Sequence, residues 1–237
     1  FADFAIACAE MGYKAFKIHG WHEGNAKEEA ELVLHVRKMV GDDMTLMLDP
    51  ACQLRTFADA LYVGRACDEA NYFWFEDPYR DSGVSAFSHK KLREMLKTPL
   101  LQTEHIRGVE PKADFLIAGG TDFLRSDPEY DMGLTGCLKI HNMAESFGID
   151  CEVHASGPAH RHLMAASRNS NFYEVIRTNS TASVQQQAQE GNYWDSFIEL
   201  DFNYDKRNQI FHQSQLRIDM HQWPSHAILN PDRLQLN

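Results

Sequence analysis

The sequence predicts an α/β protein built as a βα barrel, and three observations carry that prediction. Segments with helical apolar spacing alternate with short strand-like runs along most of the chain. The successive strand-like runs end on ionisable residues: His19, Asp49, Glu76, Glu104, Asp127, His154 and Glu174. Those endings are 20 to 30 residues apart, the pitch of one βα unit repeated. In a βα barrel, functional side chains gather at the C-terminal ends of the strands. An open doubly wound sheet would collect its ligands at one switch point, and neither a GxGxxG nor a P-loop sequence occurs.

The elements follow in order. Residues 1–11 have helical spacing and stop at Gly12, a residue suited to a left-handed cap. Residues 13–19 (YKAFKIH) form a short strand. Residues 27–40 make an amphipathic helix, with Leu32, Val33, Val36 and Val40 on one stripe and Gly41 at its end. Residues 45–49 (TLMLD) are a nearly continuous apolar strand, 54–69 a helix, and 72–76 (YFWFE) another buried-type strand. Helix 86–97 leads to the extended 100–104 (LLQTE), and helix 110–118 to 123–127 (FLRSD). Helix 133–147, ended by Gly148, precedes 150–154 (DCEVH), and helix 159–168 precedes an extended 172–176. The character then changes. Residues 179–192 are polar and Gln-rich and read as a loop, and 196–220 alternate about an Asp-Lys-Arg-Asn turn, as in a β-hairpin. Trp223-Pro224 and Asn230-Pro231 mark a final irregular segment.

Composition narrows the function. The 237 residues include 23 basic and 34 acidic side chains, a formal net charge of −11, which argues against nucleic acid as a partner. No apolar run approaches the roughly 18 to 20 residues of a membrane span. Five cysteines, an odd count without a CxxC pair, read as reduced packing thiols in a cytoplasmic protein.

The strand ends suggest chemistry. Asp49, Glu76 and Glu104 close three consecutive strands, and three converging carboxylates repel unless a cation joins them. All-oxygen ligation with room for water and substrate suits Mg²⁺. Lys17 and His19 are two apart on one strand and share the interior face, opposite Phe16 and Ile18. Asp127 and His154 end neighbouring strands, and a carboxylate on one imidazole nitrogen makes a general base or acid of the other. Glu174, one unit later, is expected to reach a substrate oxygen. Trp21, His22, His105 and Arg107 follow strand ends and are candidates to line the pocket. Asp77 adjoins Glu76 but is expected on the other face if the strand stays extended.

The segments KAFKIHG, LMLDP, WFEDP, LQTEH, FLRSDPEYDMGLTGCLKI and CEVHASG resemble the enolase superfamily, mandelate racemase subgroup, over roughly residues 1–176. The resemblance implies a modified TIM barrel of the (β/α)7β type, here lacking its first strand and the N-terminal capping domain. It assigns residues 1–177 to strands two to eight of that barrel and 178–237 to a β-rich C-terminal segment packing on the barrel or capping domain. It implies one Mg²⁺ held by Asp49, Glu76 and Glu104, and His154 as acid/base catalyst oriented by Asp127. Lys17 would neutralise an enediolate, and Glu174 would help hold the substrate's carboxylate or enolate. His19 stands where the family commonly has a second lysine, and the family's Gly-rich ending is missing. The implied activity is abstraction of the proton α to a carboxylate, most simply the dehydration of a sugar acid. A racemase, epimerase or cycloisomerase is the alternative, and a non-enzymatic homologue the third. The expected partners are a small carboxylate substrate and further copies of the chain.

Overall fold

In the computed structural model, residues 1–20, 24–80 and 85–175 are described in full, together with the backbone of residues 197–205 and 210–219. Six strands form one all-parallel sheet in chain order: β1 (Ala15–His19), β2 (Thr45–Asp49), β3 (Trp74–Glu76), β4 (Leu100–Gln102), β5 (Phe123–Ser126) and β6 (Cys151–Val153). Six helices alternate with them: α1 (Ala2–Glu10), α2 (Ala26–Val40), α3 (Phe57–Glu69), α4 (Ala86–Arg93), α5 (Val109–Ile117) and α6 (Gly133–Ser146). This is a curled half-barrel, the arrangement that strict βα alternation dictates. Chain contacts separate a first unit, Phe1–His154 with Asn169–Tyr173, from a second, Ala155–Arg168 with Glu174–Asn237. The second holds α7 (Pro158–Ala166) and an antiparallel hairpin of β7 (Phe197–Asp205) and β8 (Ile210–Asp219). No described helix is long and apolar enough to cross a membrane.

Local chemistry starts the helices where it can. Thr56 caps α3 in a reciprocal box with Asp59, and Asn25 accepts from the Lys27 and Glu28 N–H groups at the start of α2. Period-two alternation then sorts the strand side chains. Ile18, Leu46, Leu48, Phe75 and Leu100 enter the core shared with α1, α2 and α3, and Leu124 and Cys151 pack against Ile140 and Ala144 of α6. The opposite face starts as an apolar layer of Ala15, Met47, Trp74, Leu101 and Phe123, joined by Phe73 and Phe172. One residue pair further along, the same face carries Lys17, Glu76, Arg125 and Glu152, so it changes from apolar to charged along the strands. Four of the five cysteines are buried and all five are free thiols.

One expected strand is absent. Residues 171–175 form no strand. The Asn171 and Phe172 N–H groups donate to the buried Glu152 carboxylate at 3.1 and 3.2 Å, and the Ser170 hydroxyl takes the Cys151 carbonyl at 2.6 Å. The Cys151 N–H keeps a main-chain partner, the Asn169 carbonyl at 2.7 Å, but side chains hold the Asn171 and Phe172 N–H groups and the Cys151 carbonyl that a seventh ladder would use. Glu174 therefore does not end a strand.

Candidate active site

The site is built on the loops that leave the C-terminal ends of β1 to β6. Several non-glycine residues just beyond these ends have positive φ: Ala51 (55°), Cys52 (57°), Asp77 (32°) and Thr103 (91°). Strained backbone of this kind re-aims side chains, and its usual place is a functional site. Thr103 ends the pleat that would carry Glu104 to the helix side, and Asp77 breaks the extension after Glu76. Asp77 accordingly turns toward the site instead of away from it, contrary to the expectation from simple alternation.

The lower tier is a buried charge network. Lys17 Nζ donates to Glu76 Oε2 at 3.0 Å and stands 3.7 Å from Asp49 Oδ2. Arg125 Nε lies 2.7 Å from Glu76 Oε1 as an ion pair without an aligned hydrogen bond, and its guanidinium stands 5.9 Å from the centre of the Trp74 ring. Arg125 is two residues before Asp127, so strand alternation places it on the site face; that signal was available in the sequence.

The upper tier holds the acid–base groups. His154 Nδ1 is 2.5 Å from Asp127 Oδ2, and His154 Nε2 is 3.3 Å from Glu104 Oε1. Asp127 Oδ1 accepts the Glu129 N–H at 2.7 Å, and the Asp127 N–H donates to Asp131 Oδ2 at 3.0 Å. Asp131 is in turn held by the fully buried Lys112 of α5, whose ammonium also donates to the Thr103 and Arg125 carbonyls. Lys112 thus ties the ends of β4 and β5 into one frame. Gly136 of α6 lets that frame close, because a Cβ there would lie 1.8 Å from the Asp131 carbonyl oxygen. The Tyr130 ring stacks on His154 with centroids 6.0 Å apart, and the Arg107 guanidinium lies 3.8 Å from the centre of that ring. Lys112, Tyr130 and Asp131 carry no chain-local signal that marks them, since their partners come from other elements.

His19 Nε2 is 3.7 Å from Asp49 Oδ2, and His105 Nε2 is 3.6 Å from Asp77 Oδ2 and 3.9 Å from Glu104 Oε1. Trp21 and His22 lie outside the described residues. Glu174 is in the second unit, where its Oε2 accepts the Ala155 N–H at 2.8 Å.

The carboxylates suit a divalent cation. Among the described residues, oxygens of Glu76, Asp77 and Glu104 all come within 4.8 Å of one another. The Asp49 carboxylate stands next to this group, joined through Lys17, and accepts the Ala51 N–H at 2.7 Å. Burial first, then the charges of Glu76, Asp49 and Glu104, hold the Asp77 carboxyl well above its ordinary range, against a smaller opposing pull from Arg125. Burial and Glu76 likewise raise Asp49, with Lys17 and His19 opposing. The buried Asp77 Oδ2 accepts no hydrogen bond. A hard cation relieves this crowding, and all-oxygen donors are the set Mg²⁺ prefers.

Comparison with known proteins identifies the family and the fold. The model of the family described as enolase C-terminal domain-like matches residues 1–200. The chain is 26% identical over 171 residues to L-talarate/galactarate dehydratase of Salmonella typhimurium, covering 72% of this chain and 42% of that enzyme. It is 24% identical over 152 residues to N-succinyl-L-Arg/Lys racemase of Bacillus cereus, covering 64% and 40%. The crystal structure of D-glucarate dehydratase from Agrobacterium tumefaciens complexed with magnesium superposes with a TM-score of 0.69 at 27% identity, covering 90% of this chain and 54% of that one. The chain thus spans less than half the length of these two curated relatives.

Proposed function

The chain belongs to the enolase C-terminal domain-like family, and from that premise we propose that it abstracts the proton α to a carboxylate with the help of Mg²⁺, dehydrating a sugar acid to a 2-keto-3-deoxy acid. The observation that carries this reading is the His154–Asp127 pair, whose second imidazole nitrogen, Nε2, stands 3.3 Å from Glu104 of the carboxylate cluster. The likeness to two sugar-acid dehydratases supports it.

Asp49, Glu76 and Glu104 would hold the cation, with Asp77 beside them. When bound, it supplies fixed positive charge where the enediolate's negative charge develops. His154 Nε2 accepts the α-proton while Nδ1–H stays on Asp127, so the imidazolium forms against a carboxylate already in contact. Lys17 adds a second cation inside the site, close to where a substrate carboxylate must sit. In dehydration the β-hydroxyl takes a proton from the opposing acid, the carbon–oxygen bond breaks, water leaves, and the enol tautomerises to the 2-keto acid. His19 is the group proposed for that second proton transfer.

A racemase or epimerase is the second reading, favoured by the likeness to the succinylamino-acid racemase. It needs the same base, with His19 returning the proton to the α-carbon. A panel of aldonic and aldaric acids incubated with the protein and Mg²⁺ separates the readings. Release of a 2-keto-3-deoxy product supports dehydration, whereas deuterium uptake at the α-carbon without loss of water supports isomerisation. No product and no exchange with any acid would overturn both.

A further inference from the structure

A second cluster shares Asp77 with the carboxylates and has different chemistry. One ligand atom each from Cys52, Asp77 and His105 falls within 4.8 Å of the other two. The three residues follow three successive strands, β2, β3 and β4, and their backbone is already fastened. The Cys52 N–H donates to the Asp77 carbonyl at 2.9 Å, the Leu54 N–H to the Pro78 carbonyl at 3.0 Å, and the Arg80 N–H to the Leu54 carbonyl at 2.8 Å. The loops after β2 and β3 are therefore zipped into a short parallel bridge, Leu54 to Tyr79. His105 is set by a turn in which the Ile106 N–H reaches the Thr103 carbonyl at 3.3 Å. Cys52 and Asp77 both have positive φ, so the backbone holds a costly conformation at two of the three ligand residues.

The buried Asp77 oxygen without a hydrogen bond is the one nearest His105, at 3.6 Å. Asp77 as a whole is 7% exposed and this oxygen is buried, so water does not readily compensate it. Cys52 differs from the four fully buried thiols in being partly exposed, which leaves an entry path. A thiol, an imidazole and a carboxylate brought together in this way match a borderline-soft divalent ion such as Zn²⁺, which takes sulfur, nitrogen and oxygen ligands in tetrahedral sites. Mg²⁺ has no use for the sulfur.

We propose that Cys52, Asp77 and His105 form a second cation site, selective for Zn²⁺-class ions over Mg²⁺ and sharing Asp77 with the all-oxygen cluster. Binding forms a metal–Sγ bond and releases the thiol proton to solvent. Three protein ligands leave a fourth position for water or a substrate oxygen. The site stands on its own ligand chemistry and does not depend on the dehydratase reading.

Co²⁺ is the probe, because cobalt–thiolate coordination gives a near-ultraviolet charge-transfer band that oxygen ligands do not. Titration of the full chain with Co²⁺ in excess Mg²⁺ is expected to produce that band at one equivalent. Cys52→Ser should abolish it, His105→Ala should weaken Co²⁺ affinity at least about tenfold, and Glu104→Gln should leave the band in place. Circular dichroism establishes that each variant is folded. Absence of the band in the wild-type chain, its persistence in Cys52→Ser, or its loss on adding Mg²⁺ would overturn the proposal. The acid panel above reads the other hypothesis, so either can fail alone.

Discussion

His154 sits between two carboxylates, with Asp127 at Nδ1 and Glu104 at Nε2. In the proposed reaction the first contact would set the tautomer, and Nε2 would be the nitrogen that takes the proton. His154→Asn should therefore lower turnover by about 10²- to 10⁴-fold while Mg²⁺ affinity, read by calorimetry, changes little. An equal loss of affinity would make His154 a ligand instead. Glu76→Gln should do the reverse and weaken cation binding directly, because a neutral amide also strands Lys17 and Arg125. Away from the site, His141 is lowered from its usual 6.5 to about 4, chiefly by burial, with an opposing hydrogen bond to Asn169. The folded state holds it neutral where an unfolded chain protonates it, so its stability is fully present above pH 6.5 and is lost as pH falls toward 4. The loss is on the order of 3 kcal/mol. Glu152, raised by burial, acts in the opposite sense, so the test compares urea midpoints of wild type and His141→Gln. The variant should fall less steeply between these pH values, and equal slopes would count against the assignment.

The elements divide into those that local pattern decides and those that side chains from elsewhere decide. β1, β2 and β3 were readable because alternation of Phe16, Ile18, Leu46, Leu48 and Phe75 with inward polar groups allows only one register. The stretch after Asn171 reads as a strand in isolation, yet Glu152 captures its amides. No window of sequence around Phe172 contains that competitor. Helix α5 shows the same dependence. Its Lys112 is buried against Asp131 at 2.8 Å and bonds two strand-end carbonyls. Lys112→Met leaves the buried Asp131 carboxylate charged and without its ammonium partner, at a cost of about 3 to 5 kcal/mol, measured by chemical denaturation. Lys112→Met combined with Asp131→Leu should cost less than the sum of the two single changes, since the pair is removed together. Simple additivity would show that the pair is not coupled.

At the scale of the whole molecule, a net charge of −11 sits uneasily with the acidic substrate proposed above, and the compensation is local. Lys17 and Arg125 reach the cluster, and the remaining excess negative charge is what a cation would neutralise. Mg²⁺ should therefore raise the thermal midpoint, with a stabilisation of about 2.7 kcal/mol at a hundred times its Kd. EDTA should reverse the shift, and a melting curve indifferent to both would remove the cation from the site. The sequence by itself determined the βα alternation, the ionisable residues at or just past the ends of β1 to β6 and the family resemblance, because period and spacing are properties of neighbouring residues. Only the tertiary structure decided that Asp77 turns toward Glu76, that Arg125 pairs with Glu76, that Lys112 and Asp131 brace Asp127, and that Cys52 and His105 meet. Those contacts join residues from different elements, through loops whose positive φ values no pattern announces. Their energies depend on burial and on charges brought close in space, and sequence order does not encode either.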